Sequence, residues 1–442
     1  MPAFSSTVRR GDLFLMRLAD WLVVLIAIAL PWSTTATAIC IVAWLLAVLP
    51  TLDLASVRRE LESAAGGLPI LLWCLGIIGM LWADVSWTER FQGLGSFHRL
   101  LIIPLLLAQF RRTKHGMPVI YGFLISSALA LIATYVLTLT PGLAWRGPKA
   151  DGIAAHDDIF QSSAAVICGF GALGYAAING AKRHWLAVLM STAVAAVFFG
   201  YFLFVSIFSR IVLGVAPVLT ILLGWRYARL KGLLVACLVA AAVSVAFWVV
   251  SAGLRERVHN SIDEITQYSA TNKATAIGQH LAFLTESLTI ISAAPLTGHG
   301  TGSIAKEFRE VTAGGRGASA VPTVNPHNQT FAVAIQLGLL GAIVLWLMWI
   351  AHLRLFRGEG SIAWFGTVIV VENIASSTVH SHLFDSAHGW LYVFGVGVLG
   401  GMALHNRTES VTVAMTPNRF LATLHSEQHP ARKISEWWPL PK

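Results

Sequence analysis

His327 is the side chain in this sequence best placed to act as a general base. It lies in "VPTVNPHNQTFAVAIQLGLLG", residues 321–341, where a polar loop runs directly into an apolar helix. Pro326 suits the first position of a helix and Asn325 the N-cap, which predicts His327 in the first helical turn. The positive end of the helix dipole disfavours an imidazolium there, and a neutral imidazole near pH 7 can accept a proton. The alternative is a histidine that only marks the membrane interface.

Two arginines have the chemistry of an anion clamp. Arg210 lies in "FSRIVLG" after a very short connection between two predicted spans, so its guanidinium is expected at the apolar boundary. Arg146 lies in "GLAWRGPKADG", together with Lys149. Because a planar guanidinium matches phosphate oxygens in pairs, both arginines suit a phosphate ligand. The alternatives are snorkelling of Arg210 to lipid phosphates and simple solvation of Arg146.

Further ionisable side chains are predicted at the same membrane depth, where charged groups are costly and usually functional. The "HSHLFDSAH" stretch supplies three histidines and one aspartate, which suggests a divalent metal, but spacing of i, i+2 does not put ligands on one helical face. We therefore predict no metal site; the alternative is a divalent site that also uses His156 and Asp157. The residues collected at this depth are His156, Asp157, Asp158, Asn328, His380, His382, Asp385 and His388.

The composition is that of a membrane protein. Of 442 residues, 56% are hydrophobic and 12% charged, whereas soluble domains carry about 25% charged residues. The four cysteines lie far apart inside apolar runs, which argues against a disulfide frame or a zinc site. The two glycine-rich stretches match neither a P-loop nor a dinucleotide fingerprint.

Twelve membrane-spanning helices are predicted from apolar runs of suitable length. Every loop predicted on one face carries Lys or Arg, so the positive-inside rule puts both termini in the cytoplasm. This distribution also accounts for the net charge of +9 without a nucleic-acid partner. The predicted spans are 18–33, 35–50, 68–83, 97–110, 117–140, 159–180, 185–205, 207–224, 232–253, 327–351, 361–380 and 386–405.

The predicted organisation is spans one to nine within 1–253, a large outer loop at 254–326, spans ten to twelve within 327–405 and a cytoplasmic tail at 406–442. The outer loop contains the amphipathic helix "TAIGQHLAFLTESLTIIS", a glycine-rich turn "PLTGHGTGS" and a short charged helix near "IAKEFREV". An apolar stripe on the first helix suits contact with the membrane surface or with other spans. Its members are Ile277, Leu281, Leu284, Leu288 and Ile291.

Three segments resemble the O-antigen ligase (WaaL) family, which is related to O-antigen polymerases and bacterial O-oligosaccharyltransferases. His327-Asn328, nine residues and then Gly338-x-x-Gly341 resemble its H[NSQ]-x9-G-x-x-G pattern. "SIFSRIVLGV" resembles its Ser-Arg segment, and "APLTGHGTGS" its glycine-rich turn ahead of the catalytic loop. With the span count and the single large loop, the resemblance covers most of the chain.

The resemblance implies an all-α, GT-C-type membrane glycosyltransferase of the bacterial inner membrane with a periplasmic active site. It would move a glycan from undecaprenyl diphosphate to the lipid A–core oligosaccharide, among membrane lipids and without a metal or other cofactor. By the same resemblance His327 is the catalytic base, Arg210 and Arg146 bind the diphosphate, and Asp385 is the acidic residue of the last outer turn. Supporting roles fall to the polar neighbours Asn328, Lys149 and His156. Relatives often carry an asparagine where this chain has "HDD", which leaves the role of this segment open.

Three other functions fit parts of the pattern. A polymerase would lengthen another lipid-linked glycan, but polymerases more often have two substantial outer loops. A protein-directed O-oligosaccharyltransferase often carries a large C-terminal outer domain, which this chain lacks. A transporter would show paired inverted halves with interrupted helices near the midplane, and no such symmetry is visible.

Overall fold

The computed structural model describes residues 10–140, 154–155, 157–204, 209, 211–250 and 252–414. The described residues contain helices and no strand, which confirms the predicted all-α class. The sixteen α-helices are α1 (Arg10–Ala29), α2 (Thr34–Val48), α3 (Leu54–Glu62), α4 (Ala64–Gly79), α5 (Trp87–Gly95), α6 (Ile102–Phe110), α7 (Met117–Leu139), α8 (Asp158–Ala181), α9 (Trp185–Phe204), α10 (Ile211–Val250), α11 (Ala252–Thr271), α12 (Ala276–Ala293), α13 (Ile304–Val311), α14 (Gln329–Leu355), α15 (Ser361–Ser376) and α16 (Ser386–Ala414).

Several of these helices can cross a membrane. Within the described residues, seven are long and apolar enough, or nine if two bent pairs each count as one span. The bent pairs are α3 with α4, and α5 with α6 and the 3-10 turn that precedes it. The chain is therefore a multi-pass membrane protein, as predicted, while the count of twelve spans stays a prediction.

The α10 segment is a hairpin rather than one straight rod. Ala228 and Arg229 have non-helical dihedral angles, and a Cβ on Gly224 would lie 2.4 Å from the carbonyl oxygen of Gly232. Eight residues of straight helix would separate these glycines by about 12 Å, so the chain must reverse between them. The two arms correspond to the separate spans predicted at 207–224 and 232–253.

Close helix contacts in the bundle depend on small residues. Glycines of α8 face large rings of α15: a Cβ on Gly171 would lie 2.1 Å from Phe365, and one on Gly174 would lie 2.0 Å from the indole nitrogen of Trp364. That nitrogen donates a hydrogen bond to the Phe170 carbonyl at 2.7 Å. Small residues at membrane helix interfaces let backbones approach closely, and here they bring α8 against α15.

The bundle has two distinct ends. We call the end that carries α5, α11–α13 and the 377–385 loop the cap end. We call the other end, with residues 49–63, 110–116 and 404–409, the far end. Arg99 donates to the Leu383 carbonyl at 3.2 Å at the cap end, and the His405 ring bonds the Arg111 carbonyl at 2.9 Å at the far end.

The predicted amphipathic helix in 254–326 is α12, but its buried face differs from the predicted stripe. The side chains buried against α13 and α14 include Ala282, Phe283, Glu286, Ser287 and Ile290. The predicted stripe is half-exposed, and Leu288 is its most exposed member. Contact of this stripe with the membrane surface stays a prediction, while the opposite side of α12 packs on α13 and α14 and buries polar side chains as well.

Candidate active site

His327 lies just before α14, not inside it. Its φ of +53° is left-handed, a region that few non-glycine residues adopt. The Asn325 side chain accepts a hydrogen bond from the His327 backbone N–H at 2.9 Å, which closes a turn two residues long. Asn328 is the actual N-cap and accepts from the Phe331 N–H at 3.0 Å. The predicted N-cap at Asn325 and the helical placement of His327 are therefore wrong.

The His327 ring is packed among other rings. It stacks on His280 with centroids 4.3 Å apart and lies parallel to Phe283 at 5.8 Å, both on α12. On its other side the edge contact with His380 is 5.0 Å. Burial, followed by the charges of His280 and His380, lowers the pKa of His327 to about 4. The ring is thus neutral near pH 7, but its surroundings rather than the helix dipole account for this.

Further ionisable side chains extend this packing, and we call His327, His380, His382, Asp385 and His388 the histidine cluster. His380, His382 and Asp385 lie in the 377–385 loop, and His388 lies in the first turn of α16. His380 and His382 lie 4.9 Å apart between ring centroids, and His382 stacks on His388 at 3.9 Å. Burial lowers the pKa of His380 and of His382. Burial alone would raise the pKa of Asp385, but the hydrogen bond and charge of His388, with Nδ1 2.9 Å from the carboxylate, hold it below its usual range.

Buried polar atoms without a partner concentrate in these segments. Buried polar groups in proteins are almost always hydrogen-bonded. Of the fifteen exceptions among the described residues, eight lie in 327–329 and 372–388. Unsatisfied donors and acceptors are therefore concentrated in these two segments. The atoms are His327 Nδ1, Gln329 Nε2, Glu372 Oε1, Ser377 Oγ, His380 Nδ1, Ser381 Oγ, His382 Nε2 and His388 Nε2.

Gln329, which the sequence analysis did not single out, holds the two halves of the cluster together. Its backbone N–H donates to the Ser377 carbonyl at 2.9 Å. Its side-chain oxygen accepts from the N–H groups of Leu383 at 2.9 Å and Phe384 at 3.3 Å. The start of α14 is thereby fixed to the 377–385 loop, which brings His380 to His327. The only sequence signal for this residue is its place directly after His327-Asn328.

The first glycine of the H[NSQ]-x9-G-x-x-G pattern breaks α14. Gly338 has φ +64° and ψ −161°, and a Cβ there would lie 2.2 Å from the Leu296 carbonyl oxygen. The break frees two helix carbonyls, at Ile335 and Gln336. They accept from the N–H groups of His299 at 2.8 Å and Gly300 at 2.9 Å. The two glycine motifs seen in the sequence are thus the two sides of one joint.

The same joint reaches a third element. Thr301 donates through its backbone to the Gly79 carbonyl at 3.1 Å and through its hydroxyl to the Gly76 carbonyl at 2.6 Å. Both acceptors are in the last turn of α4. The glycine-rich turn therefore positions α14 against α4, and it does so close to the cluster.

A cleft of about 680 Å³ opens beside the cluster at the cap end. Its walls are α5, α13, the start of α14 and the 377–385 loop, and both Pro326 and His380 line it. Sequence reasoning missed the wall on α5 and α13, because nothing in the local pattern relates it to His327. The polar lining consists of Glu89, Gln92, Ser96, Arg99, Arg309, Asn325, Gln336, His380, Ser381, Asp385 and Ser386.

The predicted site residues divide into two groups. His327 and Asp385 lie in the cluster, and Asn328 caps α14 beside it. Its amide donates to the Thr378 carbonyl at 3.0 Å. Arg146, Lys149, His156 and Arg210 lie outside the described residues. The start of α8, which follows the "HDD" segment, does reach the cluster, since Phe160 contacts the His388 ring at 5.5 Å.

No group of three or more His, Cys, Asp or Glu in the described part of the chain is arranged to hold a metal ion. The contacts within the histidine cluster explain this. His382 and His388 stack face to face, at an interplanar angle of 13°, so their nitrogens do not converge on one point.

A family model described as O-antigen ligase matches residues 159–347. No curated protein matches the chain. The matched region runs from α8 into α14 and includes His327 and the joint at Gly338. The α5 wall of the cleft and the 377–385 loop lie outside it.

Proposed function

We propose that this multi-pass membrane protein, which the match over residues 159–347 assigns to the O-antigen ligase/polymerase superfamily, is an O-antigen ligase. It transfers a glycan from undecaprenyl diphosphate to the lipid A–core oligosaccharide. The reaction takes place on the periplasmic face of the bacterial inner membrane, at the cap end, within a GT-C-type architecture. Both termini then lie in the cytoplasm.

The observation that carries the proposal is the neutral, ring-packed His327 at the edge of a polar cleft. A sugar hydroxyl is a weak nucleophile, and a base removes its proton as the attack develops. We assign this role to His327, because its ring is neutral near pH 7 and its Nδ1 has no partner within the described part of the protein. The hydroxyl attacks the anomeric carbon, the bond to the diphosphate oxygen breaks and the anomeric centre is inverted.

The leaving group needs charge neutralisation more than a proton. A lipid diphosphate departs as an anion, and fixed cations that meet the developing charge stabilise the transition state. We assign this role to Arg146 and Arg210 from their place in the sequence and the family pattern, with support from Lys149, three residues after Arg146 in the sequence. No nucleotide, metal or other cofactor enters this mechanism.

Within the superfamily, the extramembrane segments favour a ligase over a polymerase. The one long segment between predicted spans is 254–326, which supplies α12 and α13 to the site. A polymerase of this superfamily would use the same base on a different acceptor, the end of another lipid-linked glycan. The two activities are therefore separated by the acceptor and not by the chemistry.

The proposal is tested with purified protein in detergent, glycan-bearing undecaprenyl diphosphate and lipid A–core, with a chelator present. Products are separated on a glycolipid gel. Wild type is compared with His327→Ala and with His259→Ala, a matched control because His259 is exposed on α11. We expect wild type and the control to transfer glycan, and His327→Ala to lose about 100-fold or more.

Other outcomes reject specific parts of the proposal. Longer donor chains without product on lipid A–core would identify a polymerase. Transfer that stops only with chelator would require a metal. Equal rates for His327→Ala and wild type would remove His327 from the chemistry.

A further inference from the structure

We infer that the cleft between α5, α13 and the 377–385 loop binds the sugar rings of a glycan substrate and not its diphosphate. This inference rests on the proposed function, because it assigns a ligand class to a cleft beside the proposed base. It concerns residues on α5 and α13 that the family pattern does not contain.

The position of the cleft relates it to His327. Pro326, the residue before His327, lines one wall, and His380, whose ring is 5.0 Å from that of His327, lines another. The cleft is therefore lined by the residue that precedes His327 in the chain and by a ring that contacts His327. The volume of about 680 Å³ is in the range of pockets that enclose small ligands, about 300–1,000 Å³.

The charges of the cleft argue against a diphosphate. Arg309 is paired with Glu89 at 3.6 Å. The Arg99 guanidinium donates to the backbone carbonyls of Leu383 and Asp385. The cleft thus contains two arginines and two carboxylates, Glu89 and Asp385. Phosphate sites use cations that are free to pair with the phosphate oxygens, and these arginines are already engaged.

The same lining suits a neutral sugar. Each hydroxyl of a sugar ring both donates and accepts, so it pairs with carboxylates, amides, guanidinium groups and other hydroxyls. Gln92 and Ser96 extend from the α5 side. On the opposite wall, Ser381 and Ser386 contribute hydroxyls and His380 an imidazole. Polar groups of both donor and acceptor type therefore face one space beside the base.

The sugar rings have two sources, the glycan of the lipid-linked donor and the core oligosaccharide of the acceptor. Both present the same hydroxyl chemistry to the cleft. The experiment is designed to separate them.

The test is equilibrium binding to full-length protein in detergent, measured by thermophoresis. Three probes are used: undecaprenyl diphosphate without glycan, the same lipid with its glycan, and lipid A–core. Ala305→Trp fills the cleft from α13, where Ala305 is half-buried in the wall. Leu288→Trp is the matched control, since Leu288 is 57% exposed on α12 and outside the cleft. Gln92→Trp fills the cleft from the exposed α5 side and serves if Ala305→Trp fails to fold.

We expect the cleft-filling variants to weaken binding of one glycan-bearing probe at least tenfold and to leave the glycan-free lipid unchanged. Loss of lipid A–core binding assigns the cleft to the acceptor. Loss of the affinity gained from the donor glycan assigns it to the donor. Unchanged binding of both glycan probes overturns the inference, and so does an equal loss for the glycan-free lipid. Because the readout is binding, the transfer assay with wild type decides the proposed function separately.

Discussion

The cap end and the far end of the bundle both bury polar side chains, but most of the buried polar atoms that lack a partner lie at the cap end. At the far end, Gln109 donates to Asp20 at 2.8 Å and accepts from the Trp44 indole at 2.8 Å. Thr113 also donates to Asp20 at 2.8 Å. At the cap end, the segments 327–329 and 372–388 bury eight polar atoms without a partner.

We interpret this difference as one between polar groups that stabilise the fold and polar groups that are available to the proposed ligand. A buried polar group costs free energy unless it is hydrogen-bonded, so a paired network joins helices and an unpaired one needs a partner from outside the chain. Buried ionisable groups are present at both ends. Their pairing, and not their presence, separates the site from the scaffold.

We expect the largest effect from a substitution at the cap end that lowers the transfer rate without lowering stability. His327→Asn removes the base but keeps a residue type that tolerates left-handed φ. We expect the transfer rate to fall about 100-fold or more, with the Tm in detergent unchanged. Glycolipid gels and a thermal melt measure the two quantities. A large loss of Tm would mean that His327 is structural, as the far-end groups are.

The joint at Gly338 is expected to affect stability most. Gly338→Ala adds a left-handed φ penalty and a Cβ 2.2 Å from the Leu296 carbonyl oxygen, which we expect to cost about 3 kcal/mol or more. Gly314→Ala is the control, because Gly314 has φ +79° and open space around it. We expect it to cost only about 1 kcal/mol. If chemical denaturation gives similar losses of unfolding free energy for the two variants, the contact with Leu296 does not contribute to stability.

Gln109→Ala tests the far end. It leaves the Trp44 indole and the Asp20 carboxylate each short of a partner, and we expect a loss of about 2–3 kcal/mol in unfolding free energy. Below the melting range the transfer rate per folded molecule is expected to equal that of wild type. A reduced rate with unchanged stability would contradict the division between the two ends.

Glu286 on α12 supplies a smaller, pH-dependent effect at the cap end. Its two carboxylate oxygens are buried without a partner, and burial raises its pKa to about 7. The unfolded chain ionises this group from about pH 4.5, so wild type loses stability as pH rises from there to 7. Glu286→Gln does not titrate. We expect its Tm to match that of wild type near pH 5 and to exceed it at pH 8. The difference at pH 8 corresponds to about 2 kcal/mol in the free energy of unfolding. A constant difference between the two pH values would argue against ionisation of Glu286 in this range.

The smallest expected effect concerns the pH dependence of the transfer rate, which should show no histidine titration in the neutral range. Because the pKa of His327 is lowered to about 4, its protonation contributes nothing to the transfer rate between pH 6 and 8. We expect a flat rate there and a decline towards pH 4, in a profile measured with saturating substrates. A decline centred near pH 6.5 would mean that the ring is solvated during the reaction.

The sequence predicted the helices well and their three-dimensional register less well, while the location of the chemistry stays a prediction. Apolar runs and basic loops predicted the polytopic all-α fold, and the His327 motif predicted where the cluster lies. The cap at Asn328 was missed because Asn325 and Asn328 are equally good N-cap residues in a sequence. Only the left-handed φ of His327 decides between them.

The cleft wall could not be predicted from any local pattern. Glu89 and Arg309 are 220 residues apart and meet only because the glycine-rich turn fixes α13 beside α5. The buried face of α12 was missed for a different reason. It contains Glu286 and Ser287, which a search for apolar periodicity excludes.

The interrupted backbone at Gly338 has a consequence for exchanging parts between related chains. The N–H groups of Leu339 and Leu340 bond the carbonyls of Pro295 and Leu296 at 2.8 and 3.4 Å, in addition to the two bonds that α14 accepts in return. The glycine-rich turn and the interrupted backbone of α14 each complete the hydrogen bonding of the other. A chimera that imports the glycine-rich turn without its own α14, or the reverse, would combine two incomplete halves. The smallest transplantable unit is therefore residues 295–341, taken together with a host α4 that presents a glycine where Gly79 meets Thr301.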